Sequence, residues 1–265
     1  MKIDLDALRQ DAIYDIQNNI QLVNTRLDWN EFSSQVIRMC NQFLIAGSAS
    51  LYVDLKPEVA GLNFCRAGEN WRRLYELAKK HYNNHLSLNN NAFLFAAMLV
   101  NDTGLVNRLE KSLDKQYHEN IEYEDNFHLS WLLLLMTQGN GEIDKVMRHL
   151  EGLERTSDDD LRVNLAKSLL KIDEFEEADF WAGFNELIAR YELEVEKLAE
   201  SLTTSITAFA GHRYIYFEAL IWLKLAIKAG FSSPVDQYRF CPEELMTCNF
   251  EPYQNDWVIL DGMSL

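Results

Sequence analysis

Apolar positions are densest near the C-terminal third of the chain. Between residues 214 and 227 only Glu218 and Lys224 carry charge. A helix at a protein surface keeps its apolar side chains to one stripe, so this run is too apolar for a surface helix. It is also too short and too charged to cross a bilayer, which takes about 20 apolar residues. The pattern predicts a helix within residues 205–230 that is buried on most sides, with Gly230 as a cap just past its end. The rest of the chain is expected to pack around it.

Upstream, from residue 89, the pattern turns regular. AFLFAAMLV precedes Asn101-Asp102-Thr103-Gly104 and then LVNRLEKSL. SWLLLLM precedes Gly139-Asn140-Gly141 and then IDKVMRHLEGL. NLAKSLL precedes Asp173-Glu174 and then FEEADFWAGFNELI. Each unit reads as an apolar helix, a tight polar turn and an amphipathic helix. The turns recur roughly every 33 to 38 residues, the period of helix-pair arrays such as tetratricopeptide repeats, whose consensus residues are absent. Such short turns make successive helices antiparallel neighbours. The expected fold is therefore all-α: stacked antiparallel helical hairpins, resembling an α-solenoid.

The first third is less regular. Residues 4–27 predict a moderately amphipathic helix through Leu5, Leu8, Ile13, Ile16, Ile20 and Val23. Asp28 reads as the N-cap of a second helix, with Phe32, Val36, Cys40, Phe43 and Leu44 as its buried stripe. Gly47 and the small residues Ser48, Ala49 and Ser50 either kink that helix or end it. Pro57 either starts a helix or breaks one. A third helix is expected over residues 69–82, with Trp71, Leu74, Tyr75 and Ala78 inward. Its basic residues Arg72, Arg73, Lys79 and Lys80 read as a solvated face. The tail, 231–265, holds Pro234, Pro242 and Pro252 among dense aromatics. A short helix opened by Pro242 is expected there, and the tail is expected to wrap over the last helix as a cap. One domain thus spans 1–265, with N-terminal helices at 1–86, hairpins at 87–204 and the buried helix with its capping tail at 205–265.

Composition narrows the function. Hydrophobic residues make up 48% of the 265, which excludes a disordered chain. The formal net charge is −16. That disfavours direct nucleic-acid binding and anionic membranes, and permits long-range attraction of a basic partner. The acidic start of the chain is unlike a signal peptide, no membrane span is apparent, and the cytoplasm is the expected compartment. Cys40, Cys65, Cys241 and Cys248 have no metal-binding spacing and read as buried free thiols.

Half of the net charge lies in residues 154–200, where fourteen acidic side chains face six basic ones, a net of −8. Asp158, Asp159 and Asp160 precede a helix. They suit N-capping, an anionic docking surface or, given a second facing carboxylate cluster, magnesium. No clear second cluster exists, so neither a metal nor another cofactor is expected. Glu218 lies in apolar surroundings and must be paired or protonated there. Arg213, another basic side chain or a tail loop could answer it. His212 suits a structural, hydrogen-bonded role. No nucleophile elbow, glycine-rich phosphate loop or H-E-x-x-H occurs, so no catalytic residue is expected.

The sequence Tyr216-Phe217-Glu218-Ala219-Leu220, then Leu223-x-Leu225-Ala226 and Gly230, followed by Pro242-Glu243-Glu244-Leu245, resembles the C-terminal part of the immunity protein 49 family. The helical hairpins are similar to the middle of that family. The resemblance implies a non-enzymatic antitoxin that binds and neutralises a cognate secreted antibacterial toxin in the cytoplasm. A basic, nuclease-like toxin would suit the charge, with Asp158, Asp159, Asp160, Glu174, Glu176 and Glu177 as candidate contacts. Glu218 carries over as a structural position. The alternative is a helical-repeat adaptor for a peptide or protein partner.

Overall fold

A computed structural model of the chain describes residues 4–19, 28–82, 84–100, 102–139, 141–201, 210–211, 213–232, 238–254 and 256. Those residues form helices and no strand. The first two helices are α1 (Leu5–Asn19) and α2 (Trp29–Tyr52). Asp28 caps α2 as expected, accepting from the amides of Asn30 and Glu31. Gly47 does not end α2, which runs on to Tyr52. The glycine is instead a point of close approach: a Cβ there would lie 2.4 Å from the Phe64 ring of the next helix.

That next helix, α3 (Pro57–Leu77), begins twelve residues before the expected start at Glu69. Pro57 opens it, because a proline at the first position forfeits an amide that would have no partner anyway. One turn of π-helix, Ala78–Tyr82, extends it. Arg72 and Arg73 are not on a solvated face. Arg72 is buried and donates twice to Glu69, at 3.0 and 2.8 Å, and Arg73 Nε donates to the same carboxylate at 2.9 Å. The shared acidic partner lies one helical turn back, and Glu76, one turn on, also pairs with Arg72.

A 3₁₀ turn, Leu88–Asn90, leads into α4 (Ala92–Val100), α5 (Thr103–Ser112), α6 (Glu124–Gln138), α7 (Ile143–Thr156), α8 (Leu161–Leu170) and α9 (Glu177–Glu200). The helix pairs α6/α7 and α8/α9 pack against one another. In contrast, α4 leans more on α3 than on its sequence neighbour α5, and α5 also rests chiefly on α3. The turns follow local chemistry. Asp102 accepts from Leu105 N at 2.7 Å to start α5, and Gly139 ends α6 in the left-handed region, at φ 64°.

The most apolar helix, α10 (Phe217–Lys228), touches α4, α6, α8 and α9, as its composition requires. Phe217, Leu220, Ile221, Trp222 and Leu223 are buried. Gly230 follows its end at φ 87°. Lys224 is drawn inward with it and donates to the carbonyl of Leu99; burial lowers its pKa to about 8.

The tail packs on α3, α4 and the segment before α10. It pairs with the segment before α10 through Tyr216 N and Phe240 O at 2.9 Å. It then forms α11 (Glu243–Thr247), whose Leu245 is buried and which packs on α3 and α4. Pro242 precedes this helix as its cap. Beyond it, Phe250 lies over Gly61, Tyr253 N donates to the Asp102 carboxylate at 2.7 Å, and Arg66 pairs with Asp256. Asp102 thus caps α5 and anchors the tail at once. Cys40, Cys65 and Cys241 are buried free thiols and Cys248 is half-buried.

Candidate functional site

The acidic residues singled out by sequence fall into two groups at opposite ends of α8. Asp158, Asp159 and Asp160 are exposed before its first turn. Glu174, Glu176 and Glu177 sit in the loop that joins it to α9 and at the start of α9. Ten helical residues separate the groups by roughly 15 Å.

Within the first group the three aspartates differ. Asp159 accepts from Leu161 N at 3.0 Å and pairs with Arg190 of α9, and so helps dock the two helices. Burial raises its carboxyl pKa, and the Leu161 amide and Arg190 outweigh this and lower it. Asp160 occupies the cap position without a side-chain capping bond. Asp158 and Asp160 therefore project charge, while Asp159 is committed to the fold.

The second group borders a depression of about 780 Å³, lined by Asp173, Glu174, Phe175, Glu176, Glu177 and Phe231 among others. Asp173 and Lys171 adopt left-handed backbone conformations, φ 57° and 53°, which turns the chain sharply between α8 and α9. Glu177 faces inward and accepts from Trp181 Nε1 at 3.1 Å and from Ser232 N at 2.7 Å, fixing the segment after α10. Glu174 faces solvent; Glu176 is exposed as well but caps α9, its side chain taking the Asp179 amide while Asp179 accepts from Glu176 N at 2.9 Å. Beside this depression is a second of about 300 Å³, lined by Leu135, Met136, Ile143, Val146, Leu169 and Leu170. Both are walled by Ala229 at the end of α10. An apolar notch and an acidic rim thus lie side by side, and Ile143 is 53% exposed at the edge of the notch.

Glu218 is buried and is answered by Arg162 of α8, which donates through Nε at 2.7 Å and Nη2 at 2.9 Å. Trp222 Nε1 donates to it at 3.2 Å and the Tyr216 hydroxyl at 3.1 Å. Burial pushes its pKa up, but Arg162 and these two donors outweigh burial and hold it below the usual carboxylate range. With its oxygens committed to four donors, this carboxylate ties α8 to α10. Arg213 is half-buried, over the ring of Tyr214, and lines a cavity of about 310 Å³ between the Asn89–Asn91 turn, α9 and the start of α10. His212 lies outside the described residues.

One grouping was missed by sequence reasoning. His85, Asp114 and His118 place ligand-type atoms within 4.8 Å of one another. They come from two loops, and no periodic pattern links positions 85 and 114. The only sequence signal was the four-residue spacing of Asp114 and His118.

A scan against protein-family models finds no match to this chain, and searches of curated proteins and of solved structures find none either.

Proposed function

We propose that this protein is an antitoxin of the immunity protein 49 type, which binds a cognate basic toxin in the cytoplasm and neutralises it. The observation that carries the reading is the pairing of an acidic rim, Glu174 and Glu176, with the apolar notch of Leu135, Ile143 and Leu169 at the end of α10. Protein interfaces commonly join an apolar centre to a polar rim, and this combination suits a partner that offers an apolar anchor ringed by Lys and Arg. A nuclease-like toxin carries such basic residues to hold phosphates. An acidic inhibitor accelerates encounter with it and covers its cleft. Asp158 and Asp160, roughly 15 Å from the rim, fit beneath the same footprint, since an interface of about 800 Å² per partner is about 30 Å across. In this reading the helices form a stack of hairpins whose rigidity presents the surface, and the protein acts by binding rather than by turnover.

The test is co-expression of the chain with each protein encoded beside its gene, scoring survival and co-purification. Rescue from one lethal product, with a stable complex weakened by Glu174→Lys, is expected. Absence of any such toxin, together with selection of non-lethal peptides that bind the notch, favours the second reading: a helical-repeat adaptor. The notch alone, without the rim, is what that reading uses.

A further inference from the structure

On a different part of the molecule, the loop between α3 and α4 meets the loop between α5 and α6. His85 Nδ1 lies 3.0 Å from Asp114 Oδ2, and His118 Nε2 lies 3.5 Å from the same oxygen. The two imidazole rings stack at 3.7 Å between centroids, 26° from parallel. We propose that His85, Asp114 and His118 form a binding site for a divalent first-row transition ion, with zinc the best fit.

Three observations carry this. The first is spacing. Zinc bonds of about 2.0–2.2 Å set neighbouring donors about 3.3–3.6 Å apart in a tetrahedron. The separations of 3.0 and 3.5 Å bracket that edge and the third, between the two imidazoles, lies within 4.8 Å, so an ion needs small shifts of the donor atoms and a tilt of the stacked rings that turns both nitrogens toward it. The second is donor chemistry. Two imidazoles and one carboxylate suit zinc and its neighbours in the first row better than magnesium or calcium, which prefer oxygen alone. Lys79 pairs with the other oxygen, Asp114 Oδ1, at 2.7 Å, which leaves Oδ2 to act as a single-atom ligand.

The third is support behind the ligands. Trp131 Nε1 donates to Asp114 O at 2.9 Å. The buried Glu122 carboxylate accepts from Leu88 N at 2.9 Å and from His118 N at 3.2 Å, and so clamps together the two loops that carry the histidines. Asn84 Oδ1 accepts from His85 N. These bonds fix the backbone that carries the three ligands, and Lys79 on Asp114 Oδ1 orients a ligating side chain from behind, the kind of support that prepares a metal site. Partial exposure of His85, with 41% of its side chain open, gives the ion a route in and leaves a fourth position for water. The ion would staple the two loops, and it does so independently of the docking face at the end of α10.

The experiment uses the untagged full chain, stripped with chelator, titrated with zinc by calorimetry near neutral pH and with cobalt by visible absorption. Expected are one ion per chain, a tetrahedral cobalt spectrum, and a melting temperature raised on the order of 5 °C at hundredfold excess over the dissociation constant. His85→Ala and His118→Ala should each weaken binding by at least about tenfold with the helical signal intact, while His149→Ala leaves binding unchanged. If either alanine variant does not fold, His118→Asn replaces it with the same expectation. Absence of stoichiometric binding, or binding that survives loss of His85 and His118, or binding lost with His149→Ala, overturns the proposal.

Discussion

Two regions of this molecule treat carboxylates in opposite ways. In α3 and α10 they are buried. Glu69, 1% exposed, is held by Arg72 and Arg73, with Arg108 at 3.5 Å, and Glu218 is held by Arg162, Tyr216 and Trp222. Around α8 and the start of α9, Asp158, Asp160, Glu174 and Glu176 face water. The first kind of charge is answered within the chain because an unanswered ion in the interior costs several kcal/mol. The second kind remains on display. Net charge alone does not separate them; only the exposed set is available to another molecule.

The sharpest way to break this contrast is Glu218→Ala. It takes the partner from Arg162, whose side chain is 35% exposed, and leaves the Trp222 and Tyr216 donors unanswered, and should destabilise the fold by about 2–4 kcal/mol, lowering the melting temperature by on the order of 10 °C. Denaturant unfolding checks this. The sign with pH follows from the lowered carboxyl. The contribution of Glu218 is present above the ordinary carboxylate pKa and is lost as pH falls below it.

A middle case is His149, a group with no carboxylate of its own. Its Nδ1 lies 3.1 Å from Nδ1 of His128, and its ring stacks on Trp131. Burial, then His128 and Arg148, lower its pKa to about 4. The folded state therefore disfavours its proton. The stability it permits is whole above about pH 6.5 and is lost as pH falls from there toward 4. Because the ring is partly open to solvent, the loss should be on the order of 1–2 kcal/mol. His149→Gln should flatten that part of the stability profile; an unchanged profile removes His149 as its source.

The smallest effect on stability is expected from the exposed set. Replacing Asp158, Asp160 and Glu174 by Asn or Gln should change folding free energy by no more than about 0.5 kcal/mol. The same change should slow association with a basic partner severalfold at low salt and little at high salt. Including Asp159 would blur the result, since that residue accepts from Leu161 N at the start of α8 and pairs with Arg190.

What the sequence made legible was local. The cap at Asp28, the turn at Gly139 and the burial of α10 follow from a few neighbouring residues, and the periodicity carries them. The departures came from partners distant in the chain. Glu218 had to be answered, but Arg162, 56 residues earlier, could not be picked from the basic side chains at hand. Glu69, one turn from Arg72 and Arg73, is within reach of a sequence reading, but nothing in that spacing reveals that α5 covers this side of α3, with Ser112 on Arg72 and Arg108 on Glu69. The acidic candidates were visible as composition. Their division into two ends of one helix, and the apolar notch beside one of them, arise only when α6, α7, α8 and α10 meet.

The burial of three of the four cysteines has a practical consequence. Packing raises the pKa of Cys40, Cys65 and Cys241, so they are neither ionised nor reachable in the closed fold. A thiol-modifying reagent should mark Cys248 first and the others only as the helices part around them. Because the three lie on α2, on α3 and just ahead of α11, the order of their labelling would read out, without any added probe, which part of the molecule opens first.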